Sequence, residues 1–172
     1  MGRCDILAHV YDRTPPKNDR IGAIACACGL VDILRFLVKH GHSVSYNDVY
    51  FVVFCGHLNC LEYVHATQPA LVDTDRTYWL CTAASFGHLH ILQFLYHNNI
   101  MLVNVEDLVA AAARNGHLNC LKFLHEKGVP LFPSTTLYTA QHGHLNCLQY
   151  AVEHGCPMHS DTSSEAAEYG KL

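Results

Sequence analysis

The sequence predicts an all-α solenoid built from short helix–turn–helix repeats. Three observations predict it. First, one string recurs: GHLNCL at Gly56 to Leu61, Gly116 to Leu121 and Gly143 to Leu148, with GHLHIL from Gly87 and weaker copies GLVDIL from Gly29 and GRCDIL from Gly2. Second, the opening glycines stand at positions 2, 29, 56, 87, 116, 143 and 170, a period of 27 to 31 residues in the range of repeat architectures. Third, each period holds two segments of about nine or ten residues, only ~14 Å of helix. Helices that short are marginal alone in water, so each pair must be held by its neighbours in a stack.

The segment after each glycine reads as the longer-striped helix. In HLNCLKFLHEKG the apolar residues fall at Leu118, Cys120, Leu121, Phe123 and Leu124, a stripe broad enough to touch neighbours on more than one side. Gly128 ends it, with Gly41 and Gly155 at equivalent places and Asn98-Asn99 in the third unit; these are the residues that tolerate the positive φ past a helix end. The segment before each glycine is a smaller helix, as in DLVAAAARN over Asp107 to Asn115 and SSEAAEY over Ser163 to Tyr169. Expected N-caps are Asn47 or Asp48, Asp75 or Thr77, Asp107, Ser134 or Thr135, and Asp161 or Ser163. Small pairs at Ala83-Ala84, Ala112-Ala113 and Ala166-Ala167 allow close approach of a partner helix. Pro130, Pro133 and Pro157 break the chain between units, and TPPKND from Thr14 forms a polar turn between the first two.

Composition bounds the function. The 172 residues are 50 % apolar and 15 % charged, which excludes a disordered chain. The net charge of −4 supplies no general attraction for nucleic acid. Fourteen histidines make the charge sensitive to pH between about 5 and 7. No apolar run approaches the ~20 residues of a membrane span, and MGRCDILAHVYDR carries charge where a secretory signal is apolar. Nine cysteines, several within apolar segments, fit a reducing intracellular compartment better than a disulfide framework.

The pattern AAxxGHLxxLxxLxxxG resembles the ankyrin repeat, best at Ala112-Ala113-Arg114-Asn115-Gly116-His117-Leu118 and again at Ala83 to Leu89 and Ala166 to Gly170. The resemblance spans Gly2 to Gly170. It departs from the family in its shorter period, where ankyrin units run 33 residues, and in lacking the Thr-Pro-Leu-His start of the first helix. The resemblance therefore implies an ankyrin-like solenoid with shortened or absent β-turn fingers: a single array over residues 1–172, with about five full helix pairs and half-repeats at both ends. It implies a protein-binding scaffold. The residues before each turn glycine would face the concave side: Phe54 and Cys55, Ser85 and Phe86, Arg114 and Asn115, Gln141 and His142. They differ between units while the framework recurs, as a recognition surface on a fixed scaffold does, and Phe and Arg are interface-anchoring types. Either Phe could instead tuck into the stack. Tyr78 could extend the patch, whereas Trp79 is expected to pack.

The His and Cys excess invites a metal or catalytic reading. His57 and Cys60, His117 and Cys120, and His144 and Cys147 form H-x2-C pairs on one helix face. Two ligands are half of a tetrahedral site, and Ile91 stands at the cysteine position in the third unit, so the cysteine reads as packing. His40, His65, His97, His125 and His154 fall 9 to 11 residues after their glycines, where they would stabilise helix C-termini. Cys26-Ala27-Cys28 and the Cys156/His159 pair belong to no ligand or redox set. No nucleophile elbow, zinc-protease helix, P-loop or dinucleotide motif is present. The expectation is thus no enzyme, no metal and no cofactor, with an unidentified protein as partner rather than nucleic acid, membrane or small-molecule substrate. The competing readings are a structural spacer in a longer repeat protein and a His/Cys metal protein.

Overall fold

A computed structural model describes residues 20–97 and 105–162. The half-repeats expected at either end, the Asn98-Asn99 helix end and the Ser163 to Tyr169 helix lie outside the described residues. Two compact units divide the chain, Met1–Asp75 and Arg76–Leu172. Among the described residues every regular element is helical.

The first unit holds α1 (Arg20–Ala27) and α2 (Val31–Lys39), then α3 (Tyr46–Cys55) and α4 (Leu58–Thr67), then a short α5 (Pro69–Asp73). The second holds three pairs: α6 (Arg76–Ser85) with α7 (Leu89–His97), α8 (Val105–Arg114) with α9 (Leu118–Glu126), and α10 (Pro133–Gln141) with α11 (Leu145–Glu153). Within each unit, first helices pack on first helices and second on second: α1 on α3 and α2 on α4, then α6 on α8 on α10 and α7 on α9 on α11. The glycine of each pair sits between its helices at positive φ, from 66° at Gly29 to 80° at Gly56.

Ala83, Ala84, Ala112 and Ala113 are fully buried, so the small residues do bring first helices together. The last pair fills the same layer with Thr135, Thr136 and Thr139, all buried. Thr139 Oγ1 donates to the Thr135 carbonyl at 2.8 Å and Thr136 Oγ1 to the Pro133 carbonyl at 2.8 Å, which satisfies hydroxyls that would otherwise be costly to bury. Second helices contribute Leu61 and Val64 in one unit, and Leu92, Leu95, Leu121 and Leu124 in the other.

Three caps differ from expectation. Ser45, not Asn47 or Asp48, caps α3; Asp48 serves at its third position, accepting from Ser45 N at 2.8 Å while Ser45 Oγ accepts from Asp48 N at 3.3 Å. This reciprocal box draws the helix start back to Tyr46. Asp107 lies in the first turn of α8, where its charge still favours the N-terminal dipole. Ser134 and Thr135 lie inside α10, because Pro133 opens that helix; Thr135 Oγ1 accepts from Phe132 N at 3.3 Å. The expected loss of β-turn fingers takes two forms. Six residues separate α2 from α3, and six separate α9 from α10, while α5 fills the connection after α4.

Candidate recognition surface

The recurring glycine and histidine form one device. His57, the residue before α4, donates from Nε2 to the Ala27 carbonyl at 2.9 Å. In the second unit His117 does the same to Ser85 at 2.9 Å and His144 to Arg114 at 3.0 Å. Each acceptor lies two residues before the preceding repeat's turn glycine. The imidazole lies against that glycine: a Cβ on Gly29, Gly87 or Gly116 would overlap the ring of His57, His117 or His144. Each histidine therefore ties its own turn to the turn before it.

This accounts for the H-x2-C pairs. The imidazole is committed to a carbonyl, while Cys60, Cys120 and Cys147 are buried in the core at 0 to 1 % exposure. Among the described residues no group of three or more His, Cys, Asp or Glu is arranged to hold a metal ion. The helix-end histidines divide. His40, His97 and His154 donate from Nδ1 to the carbonyl four residues back at 2.6 to 2.8 Å, closing helix C-termini as expected. His125 instead meets the Tyr150 hydroxyl at 2.9 Å, and His65 stands 3.6 Å from Asp73.

Burial pushes the Cys26 thiol up to about 12 and those of Cys60, Cys81, Cys120 and Cys147 to about 11. The thiolate is the reactive form. Iodoacetamide at pH 8 should therefore modify exposed Cys28 well before Cys26, Cys60, Cys120 or Cys147, as read by peptide mass spectrometry. Equal labelling of Cys120 would mean its packing is wrong. The linked effect on stability follows: the folded state holds these protons more tightly, so the stabilisation is complete below pH 9 and is lost as pH rises towards 11.

On this framework stand the variable residues. In the first unit Phe54 is partly exposed and stacks on Tyr50 at 5.5 Å between ring centroids, with Cys55 half-buried beside it. In the second unit Phe86 is 44 % exposed and lies nearly parallel to His88. Arg114 is exposed and places its guanidinium 4.3 Å from the Tyr138 ring centre. Asn115 is exposed and donates to the Ala111 carbonyl at 2.9 Å. His142 is exposed, donates from Nδ1 to the Tyr138 carbonyl at 3.0 Å, and lies parallel to His144. Ser85 and Gln141 are half-buried, and the Ser85 carbonyl is the acceptor for His117.

Tyr78 is exposed but lies in the first turn of α6, about 12 Å along the helix from Phe86. Trp79 beside it is fully buried. Tyr138 was missed by attention to the two residues before each glycine. It stands five before Gly143, where the other described pairs carry Ile24, Phe51, Thr82 and Ala111. That variation was a usable signal, since a residue four positions earlier shares the helix face of His142.

Stacked helix pairs, a glycine turn and a histidine bonded to the preceding repeat recur together. The fold is that of an ankyrin-repeat domain. The structure is similar to the human ASB11 ankyrin repeat domain, with a TM-score of 0.64 over 87 % of this chain and 83 % of that one at 14 % sequence identity. No family model matches the chain, and no curated protein matches it in sequence. Among the described residues no helix is long and apolar enough to cross a membrane.

Proposed function

We propose that the chain is a non-catalytic scaffold for protein–protein interaction: one repeat array over residues 1–172, binding a partner through the residues that precede its turn glycines. The ankyrin-repeat fold supports a protein-interaction role in general. The specific reading rests on one contrast. Glycine, histidine and buried cysteine repeat as packing, while Phe54, Phe86, Arg114, Asn115 and His142 differ from unit to unit and reach solvent. On the ankyrin arrangement the positions before a turn glycine would face the concave side: Phe54 and Cys55 in the first unit, and Ser85, Phe86, Arg114, Asn115, Gln141 and His142 in the second, with Tyr78 extending the latter. The recurring histidines His57, His117 and His144 are taken up by carbonyls, and Cys60, Cys120 and Cys147 by the core. A reducing intracellular setting belongs to the same reading, because the eight cysteines described are free thiols and five are buried.

Affinity capture with cross-linking tests it, comparing the wild-type chain with Phe86→Ala and Arg114→Ala combined. Truncating an interface anchor costs about 2 kcal/mol or more, so recovery of a direct partner should fall roughly 30-fold. Unchanged recovery of every partner would make the chain a spacer within a longer repeat protein.

A further inference from the structure

The second unit separates its charges by end. Its five described carboxylates, Glu106, Asp107, Glu126, Glu153 and Asp161, all lie away from the glycine turns. Glu106 and Asp107 open α8, Glu126 and Glu153 close α9 and α11, and Asp161 follows α11. Among the described residues the turn end carries Arg114 with His88, His90, His117, His142 and His144, and no carboxylate. Helices of nine or ten residues set the two ends about 14 Å apart, beyond the ~8 Å over which charge acts through physiological salt. An approaching partner therefore meets the positive end without its counter-charges.

Backbone polarity adds to this. Three second helices begin at the turn end, and none has an acidic residue in its first turn, which leaves their positive dipole ends uncompensated. The first helices that end here have carbonyls already occupied: Ala112 accepts from His117 N, Thr139 from His144 N, and Ser85 and Arg114 from the two imidazoles. Phe86 supplies an exposed apolar surface at the same end.

We propose that the turn end of the second unit takes an acidic segment of a protein partner, its carboxylates meeting Arg114, His142 and the positive starts of the second helices, and an apolar side chain resting on Phe86. Packed repeats lie roughly 10 Å apart, and a polyproline II chain advances about 3.1 Å per residue with every third side chain on the same face. Carboxylates at every third position would therefore match successive turns. The turn-side halves of the six helices add Cys81, Cys120, Lys122, Tyr138 and Cys147 to the ionisable groups already named, and no acid among the described residues. The proposal rests on the recognition reading above and supplies the chemistry of its partner.

The test is fluorescence anisotropy on the full chain with a labelled peptide of about 12 residues, Glu at every third position and one central Leu. Analogues with Gln or Lys in place of Glu, and an oligouridine RNA, serve as competitors. The Glu peptide should bind about tenfold more tightly than the Gln analogue at low salt, and lose about tenfold in roughly 0.5 M salt. Arg114→Glu with His142→Glu, both exposed, should abolish the preference, while Lys127→Glu at the far end should leave it intact. Circular dichroism confirms that each variant is folded. Equal affinity for the Glu and Lys peptides, indifference to the charge reversal, or tighter binding of the RNA would each overturn the proposal. If captured partners depend on Phe86 and Arg114 while Glu and Gln peptides bind alike, only the acidic chemistry fails. If capture is indifferent to both residues, the recognition reading fails and this inference with it.

Discussion

Gly116→Ala is expected to destabilise the second unit by about 2–4 kcal/mol, and Gly128→Ala by only about 1–2 kcal/mol. Both glycines have positive φ, 72° and 85°, so both substitutions carry the cost of a left-handed L-residue. The surroundings differ. Nothing lies within 4 Å of a Cβ at Gly128, whereas at Gly116 it would overlap the His144 ring. The imidazole must move, and its bond to the Arg114 carbonyl is lost. Urea midpoints measure the difference. In a His144→Ala background the cost of Gly116→Ala should fall to that of Gly128→Ala, since the clash and the bond are gone together. Equal costs for the two glycines in the wild-type chain would refute the coupling between successive turns.

Trp79→Ala is expected to cost about 3–5 kcal/mol, the range for emptying a fully buried aromatic site. Trp79 has 0 % exposure, although its neighbour Tyr78 reaches solvent. Against a typical stability of about 5–15 kcal/mol, that loss is enough to unfold a marginal unit. Phe86→Ala removes an aromatic ring that is 44 % exposed and should cost under about 1 kcal/mol, which separates its role in binding from any role in the fold. Thermal melts by circular dichroism distinguish the two. Trp79 is also the chain's one tryptophan, so its emission should shift to the red on unfolding. Native emission already at the solvent-exposed wavelength would contradict its burial.

Much of the architecture was legible because it depends on short stretches of chain. The glycines mark turns since a positive φ selects them locally. The stripe Leu118, Cys120, Leu121, Phe123, Leu124 marks a buried helix face, and the exchange of Cys for Ile91 marks a packing slot. Local reading failed where two signals competed. Asn47 and Asp48 both cap well, but Ser45 with Asp48 makes two reciprocal bonds, and Pro69 opened a helix of five residues, too short to show a period. Of the candidate site, place before the turn did not by itself decide exposure: Phe86, Arg114 and His142 reach solvent, whereas Cys55, Ser85 and Gln141 in the same places are half-buried. Nor was the stacking of Arg114 on Tyr138 legible, because the two residues lie on successive first helices.

The sequence by itself determined the repeat, its helix–turn–helix unit, the glycine at each turn and the burial of Cys60, Cys120 and Cys147. All of these follow from backbone φ and from the side-chain spacing of a single helix. Tertiary structure alone decided what the recurring histidines do and where the charges of the second unit collect. An imidazole has two nitrogens and no local preference among distant carbonyls. Its partner, some 30 residues earlier, is selected only when stacking brings successive turns within hydrogen-bond reach.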